Sequence, residues 1–296
     1  MTPREAFLAG FRRLKDAGVP DPDYDAAQLL AHVTGVNALS LRMDTDHVLS
    51  DDMAARYLDL LTRREQRIPL QHLLGTAWFL GREFLVSDHV LIPRPETGLL
   101  VTRALSCLRA YPPPVAVLDL CTGSGCIAVS VALSADIPVR VTASDLSRAA
   151  LDMAEENARR LGATDIRFVQ GDGFLPFAAS DRFALILSNP PYIPSGVCPG
   201  LQPEVLHDPL LALDGGPDGL DIIRKVIAGA PDHLIPGGRL LMEIGWDQGP
   251  AVRSLLSETC VFTRIEILQD DAGLDRFASA IFQPQQGGGV SLGAIL

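Results

Sequence analysis

An α/β fold with a mostly parallel sheet, preceded by a small helical domain, is the class this sequence predicts, and three observations carry the expectation. Residues 2 to about 70 repeat apolar positions at helical spacing. From Val115 onward, short apolar runs alternate with amphipathic ones, the pattern of buried strands joined by covering helices. Between the two regions the chain is punctuated by proline, at Pro93, Pro95 and the run Pro112-Pro113-Pro114.

In chain order, Phe7, Leu8, Phe11 and Leu14 are expected on one helical face, and Ala54, Tyr57, Leu58 and Leu61 repeat the pattern. Asp23 and Ser50 read as N-caps, and Gly18 and Gly35 as helix stops. Trp78 to Ile92 has a different character: Phe79, Phe84, Val86, Val90 and Ile92 are interrupted by Gly81 and Ser87-Asp88, which predicts a two-stranded connector. The stretch Pro93-Arg94-Pro95-Glu96-Thr97 is stiff and leads into a helix to about Ala110. Strands are then expected at Val115 to Leu120, Val139 to Ser144, Ile166 to Val169, Phe183 to Leu187 and Arg239 to Ile244, with two closing ones at Val261 to Leu268 and Arg276 to Phe282. Helices follow Gly125, run from Ser147 to Leu161, lie near Gly219 to Ala230, and end about Leu256. The expected division is residues 1–75 helical, 76–92 a β-hairpin connector, 93–283 the sheet domain, and 284–296 a flexible Gly-rich tail.

The chain has 296 residues, 47% of them hydrophobic, enough for one large core and a smaller attached domain. A net charge of -11 argues against duplex DNA as a partner, because that affinity comes from surplus Lys and Arg. Arg63, Arg64 and Arg67 form one local basic run, read first as a solvated helix face. Five cysteines without a CxxC pair fit a reducing compartment. No long apolar run or apolar leader stands in the sequence, so a cytoplasmic protein without membrane contact is expected. The six histidines show no HxxxH or HExxH spacing, and no metal site is expected.

A buried strand runs from Val117 through Asp119 into Cys121-Thr122-Gly123-Ser124-Gly125 and then a helix. Gly123 and Gly125 lack a Cβ, so a cofactor can approach the backbone there. Asp145 ends the next strand, placed to accept hydrogen bonds from ribose hydroxyls. Asp172, beside Gly173, ends the third, where an acceptor can meet an adenine amine. Nicotinamide cofactors need similar features, and Ala128 in place of a third glycine does not decide between them. The acidic edge of Asp119, Asp145 and Asp172 suits the cationic, phosphate-free S-adenosyl-L-methionine better than a pyrophosphate.

After the fourth strand stands Asn189-Pro190-Pro191-Tyr192. The prolines stiffen the loop and make the Asn189 side chain and the Pro190 carbonyl fixed acceptors. Two acceptors match the two N–H donors of a planar amide, whose nitrogen they would orient and enrich in electron density. Tyr192 offers a flat surface against that amide.

With the Val117 to Cys126 block, the Asn-Pro-Pro-Tyr run resembles methyltransferases acting on planar nitrogen, the adenine-N6 and protein-glutamine enzymes. Gln71-His72-Leu73-Leu74-Gly75, then Phe79, Gly81, Phe84 and Val86, and above all Val90 through Thr97, resemble the release-factor glutamine methyltransferase family. Matching runs continue in Leu211 to Gly216, Asp218-Gly219-Leu220, Pro236-Gly237-Gly238, Glu243-Ile244-Gly245 and Asp270 through Arg276, so the resemblance spans nearly the whole chain. It implies a Rossmann-like S-adenosylmethionine-dependent methyltransferase acting on the glutamine of the Gly-Gly-Gln motif of class 1 peptide chain release factors. It also implies cofactor contacts at Cys121 through Gly125, Asp145, Gly173 and Asn189, and a glutamine held by Asn189 through Tyr192. Three positions depart from the family pattern: Gly98 replaces an acidic residue, Asp208 a glutamate, and Gly173 a larger residue, which predicts looser adenine packing. Rival readings are a glutamine methyltransferase of a ribosomal protein, a DNA adenine-N6 methyltransferase, a dehydrogenase, and an adenosyl-binding protein without turnover. The helical domain is expected to recognise the release factor body, with Arg63, Arg64 and Arg67 contributing.

Overall fold

The computed structural model describes residues 1–284, and the expected tail lies almost wholly outside them. Two compact units divide the chain: Met1–Ile92 with Val197–Ala212, and Pro93–Gly196 with Leu213 onward.

The first unit holds α1 (Pro3–Asp16), α2 (Pro22–Thr34), α3 (Ala38–Met43), α4 (Asp51–Glu65) and α5 (Leu70–Leu74). Thr2 opens α1 with a capping box closed by Glu5, and Ser50 caps α4 by accepting from the Met53 N–H. Asp23 is no cap. The cap position of α2 is Asp21, followed by Pro22, and Asp23 sits in the first turn, where its charge meets the positive end of the helix. The buried stripe of α1 is Pro3, Ala6, Phe7, Gly10 and Leu14, whereas Leu8 is exposed. The stripe turns because Gly10 is its point of closest approach: a Cβ there would collide with the Tyr57 ring and hydroxyl of α4. Tyr57 in turn donates to the Ala26 carbonyl at 3.1 Å. Leu58 of α4 is likewise exposed, and Tyr57, Leu60 and Leu61 carry its core face.

Arg64 and Arg67 are not a solvated face. Arg64 is buried, donating to Asp25 at 2.7 Å and to Glu204 at 3.0 Å. Arg67 grips the same Glu204 through both carboxylate oxygens, at 2.6 and 2.8 Å. Residues 197–212, which carry Glu204, pack as part of the helical unit, although they follow the Asn-Pro-Pro-Tyr run and were expected in the sheet domain. The hairpin β1 (Thr76–Phe79) and β2 (Arg82–Leu85) pairs antiparallel around Leu80-Gly81, both at positive φ, as a tight two-residue turn requires.

The second unit begins with α6 (Pro95–Leu108) and continues β3 (Val115–Leu120), α7 (Cys126–Ser134), β4 (Val139–Asp145), α8 (Arg148–Leu161), β5 (Arg167–Gln170), β6 (Phe183–Ser188), α9 (Asp221–Gly229), β7 (Leu234–Glu243), α10 (Gly249–Glu258), β8 (Phe262–Gln269) and β9 (Asp275–Phe282). Its sheet has the order β5-β4-β3-β6-β7-β9-β8, parallel except for β9, which runs antiparallel to β7 and β8. All six residues of β6 are buried, as a central strand covered on both faces demands. Each of Leu185, Ile186 and Leu187 has no exposure, and burial of such a side chain is worth about 1.5–3 kcal/mol. β8 forms an edge with Arg264 and Glu266 on it, charges that discourage further pairing. β7 starts at Leu234, upstream of its expected start. The strand takes in Pro236-Gly237-Gly238 by a register shift against β6, where Phe183 pairs Leu234 and Leu185 pairs Arg239. Among the described residues, no helix is long and apolar enough to cross a membrane.

Candidate active site

Chain order departs from spatial order between β3 and β6. From β3 the chain steps outward through β4 and β5, then returns to place β6 on the other side of β3. At such a switch point the loops leaving two neighbouring strands part and open a crevice. The register pairs Leu120 with Ser188, so Cys121 and Asn189 leave the sheet side by side, and the Ser188 hydroxyl fastens the two ends by donating to the Leu120 carbonyl at 2.7 Å.

The loop after β3 is held from beneath. Asp119 is fully buried, and one of its oxygens accepts from the Thr122 hydroxyl at 2.6 Å and from the Ala128 N–H at 3.0 Å. Its other oxygen has no hydrogen-bond partner among the described residues. Loss of hydration, countered by those two bonds, pushes the Asp119 carboxyl up to about 7. Asp145 at the end of β4 accepts from Gly123 N–H and Ser147 N–H, each at 2.9 Å. Burial nevertheless raises its pKa above the ordinary carboxylate value. A carboxylate offers about four lone-pair sites, so two hydroxyls can still be received there.

The two glycines serve different ends. Gly123 lies at φ +55° with open space where a Cβ would be, which fits the close approach of a ligand. Gly125, at φ +80°, instead faces Ala154 of α8, where an added Cβ would lie 3.0 Å from Ala154 Cβ; its role is helix packing. Cys121 also takes a left-handed φ of 63°, and its thiol is pushed up to about 12 by burial and by Asp145, which leaves it an inert wall. Ser124 and Thr122 are buried, and the Ser124 carbonyl receives the Asn157 amide at 2.9 Å. Asp172 differs from this set. It lies beyond the end of β5, is exposed, and pairs with Lys225 at 3.2 Å, while a Cβ on Gly173 would meet none of the described residues.

Asn189 is half-buried, and its Nδ2 donates to Thr97 Oγ1 at 3.1 Å. Thr97, in the first turn of α6, donates to Glu243 Oε2 at 2.8 Å. Tyr192 donates to the other oxygen of Glu243 at 3.3 Å. Both ends of the Asn-Pro-Pro-Tyr run are therefore tied to one carboxylate at the end of β7. Glu243 is pushed up to about 7 by burial, against the hydrogen bond of Thr97 and the charge of Arg276. Burial and the nearby Glu243 likewise raise the Tyr192 phenol. From behind, Gln248 donates to the Tyr192 carbonyl at 2.9 Å and to the Gly219 carbonyl at 3.1 Å. Gly215 and Gly219 press against Pro191 and Tyr192 so closely that any Cβ would strike the backbone of the run. Thr97, Glu243 and Gln248 were not singled out as site residues by sequence reasoning: Thr97 and Glu243 stood only inside the family-like runs Val90 through Thr97 and Glu243-Ile244-Gly245, and Gln248 in none.

A parallel sheet with a glycine loop leaving β3, an acidic residue ending β4 and an Asn-Pro-Pro-Tyr run leaving β6 defines an S-adenosylmethionine-dependent methyltransferase. Two family models match, the PrmC N-terminal domain over residues 5–75 and the methyltransferase small domain over residues 102–198. A release factor glutamine methyltransferase of Cereibacter sphaeroides is 43% identical, aligned over 95% of this chain and 98% of its own. One of Moorella thermoacetica is 41% identical over 93% and 97%. The chain belongs to the release factor glutamine methyltransferase family. Solved structures agree on the fold: a methyltransferase of Pyrococcus furiosus superposes with a TM-score of 0.50 at 17% identity, covering 75% of this chain and 98% of its own. A 16S rRNA N2 G1207 methyltransferase of Thermus thermophilus, solved with AdoMet and guanosine, does so with a TM-score of 0.50 at 19% identity, covering 71% of this chain and 50% of its own.

Proposed function

We propose that this enzyme methylates the side-chain amide nitrogen of the glutamine in the Gly-Gly-Gln motif of class 1 peptide chain release factors, in the cytoplasm. The observation that carries the reading is the orientation of Asn189. One N–H of its Nδ2 is held by Thr97, which fixes the amide and leaves Oδ1 as the acceptor it can offer a substrate. A glutamine NH₂ has two donors and a delocalised lone pair, and an acceptor on each N–H both aims the nitrogen and increases its electron density. Oδ1 of Asn189 and the carbonyl of Pro190 are those acceptors, and Pro191 keeps the loop from relaxing. Tyr192 covers the flat amide and keeps water from it.

S-adenosyl-L-methionine supplies an electrophilic methyl group on a sulfonium. The loop Cys121, Thr122, Gly123, Ser124 and Gly125 forms its bed, Asp145 takes the ribose hydroxyls, and Asp172 with Gly173 borders the adenine. Open space at Gly123 and the two backbone bonds that aim Asp145 support this assignment. Residues of the helical unit bind the body of the release factor. Arg63, exposed at the end of α4, remains available for that contact, whereas Arg64 and Arg67 are committed to Glu204.

The test is transfer of labelled methyl to purified release factor, with and without its Gly-Gly-Gln glutamine, by wild-type enzyme and by Asn189→Ala. Label should require the glutamine, and Asn189→Ala should lower kcat by about 10²–10³-fold, the usual cost of one lost orienting hydrogen bond in a reaction centre. Label on a ribosomal protein or on adenine instead would overturn the substrate.

A further inference from the structure

Thr97 has one hydroxyl proton and stands between an amide and a carboxylate, which makes it a polarity-setting link. Its proton goes to Glu243 Oε2 at 2.8 Å, so the group facing its lone pair at 3.1 Å has to be a donor, and that group is Nδ2 of Asn189. Glu243 accepts at both oxygens, from Thr97 and from Tyr192, as an ionised carboxylate does. Protonating it would supply a donor toward Thr97. The threonine proton would then be released toward Asn189, and the amide would be most stable turned over, with Oδ1 inward and Nδ2 outward.

We propose that Thr97 and Glu243 are positioning residues that select which end of the Asn189 amide faces the crevice: ionised Glu243 presents the acceptor Oδ1, and protonated Glu243 presents the donor Nδ2. This rests on the glutamine reading above, since a substrate NH₂ can be held only by the acceptor form. Two donors facing each other would repel, so protonation turns the enzyme off. Glu243 is 2% exposed, and burial brings its pKa to about 7, within reach of ordinary pH. The groups acting on it come from every neighbouring element: Thr97 and Glu96 from α6, Tyr192 from the loop after β6, and Arg276, itself held by Asp270 at 3.1 Å, from β9. The Cys126 thiol of α7 also senses its charge.

The experiment combines pH-dependent kinetics with a substrate-free probe. Thr97→Val removes only the hydroxyl and should cut kcat by roughly 10–100-fold, the range for losing a residue that orients a reacting group, with cofactor Kd unchanged and Thr97→Ser restoring the rate. Wild-type kcat should fall as pH drops through about 7, and Glu243→Gln should abolish that limb. In ¹⁵N-labelled enzyme, the side-chain amide resonances assigned to Asn189 should titrate over the same range in wild type and stay flat in both Thr97→Val and Glu243→Gln. Asn189 resonances that do not move with pH in wild type, or a Thr97→Val enzyme with wild-type kcat and pH profile, would overturn the relay. If wild-type enzyme labels no glutamine, the substrate reading fails by itself, and the resonance titration still decides the relay.

Discussion

Two buried carboxyl groups, Asp119 and Glu243, are each pushed up to about 7 by loss of hydration, yet their surroundings give them different work. Asp119 holds a loop: removing it orphans the Ala128 N–H and the Thr122 hydroxyl inside the core. Unmade buried hydrogen bonds cost about 1–3 kcal/mol each, so Asp119→Ala should lose about 2–4 kcal/mol in urea unfolding and weaken cofactor binding measured by calorimetry. Glu243 carries a linkage that its glutamine variant exposes. Its folded-state value of about 7 lies above the ordinary 4.5, so folding favours the protonated form. The stability this lends is fully present below about 4.5 and is lost as pH rises through about 7. Glu243→Gln removes that loss. The Tm of the variant relative to wild type should therefore climb between acid and mildly alkaline pH; a difference that stays constant or falls would contradict the assignment.

At the scale of elements, the loop between β3 and α7 separates the two reasons a glycine can be required. Gly125→Ala forces a Cβ against Ala154 at φ +80° and should cost about 1–3 kcal/mol of stability. Gly123→Ala meets open space and pays only for its left-handed φ, about 1–2 kcal/mol at most, but it places a methyl group where the cofactor backbone approach is proposed. Thermal melts and cofactor titrations on the pair should therefore rank them oppositely. The sequence shows that both glycines matter and is silent on which faces a helix, because Ala154 is a small residue with no signature of its own. Strand β6 was readable as an apolar run and β3 as one broken only by Asp119, since central parallel strands are covered on both faces and admit a polar side chain only where it has work to do. β7 was read from Arg239, where its pairing with β9 also begins, while the pairing of Leu234 with Phe183 of β6 carries the strand back past Pro236-Gly237-Gly238. The Asn-Pro-Pro-Tyr run was legible as chemistry. Its braces were not, because Glu243, Gln248, Gly215 and Gly219 gain their meaning only from the pairing of distant segments.

For the whole molecule, the segment Val197–Ala212 matters because it belongs to the helical unit while both its flanks belong to the catalytic one. Its flanks are sewn together: Ile193 N–H donates to the Leu213 carbonyl at 2.9 Å, and Gly215 N–H to the Ile193 carbonyl at 2.8 Å, just after Tyr192. The segment itself is anchored by Glu204 on Arg64 and Arg67. Burial opposes the charge on Glu204, but the hydrogen bonds of Arg67 and Arg64 prevail and bring its carboxyl down to about 2 from 4.5. Stability from this clamp is therefore complete above about 4.5 and drains as pH falls toward about 2. Glu204→Gln keeps the shape and removes the charge. It leaves Arg64 its bond to Asp25 but weakens the grip on the segment, at a cost of about 1–3 kcal/mol for a partly buried pair. Limited proteolysis should then cut between residues 197 and 212 faster in the variant, with cofactor affinity unchanged. Methyl transfer to whole release factor should fall because the loop carrying Asn189 through Tyr192 runs directly into the loosened segment. Equal cleavage rates in the two proteins at neutral pH would show that the clamp does not hold the segment.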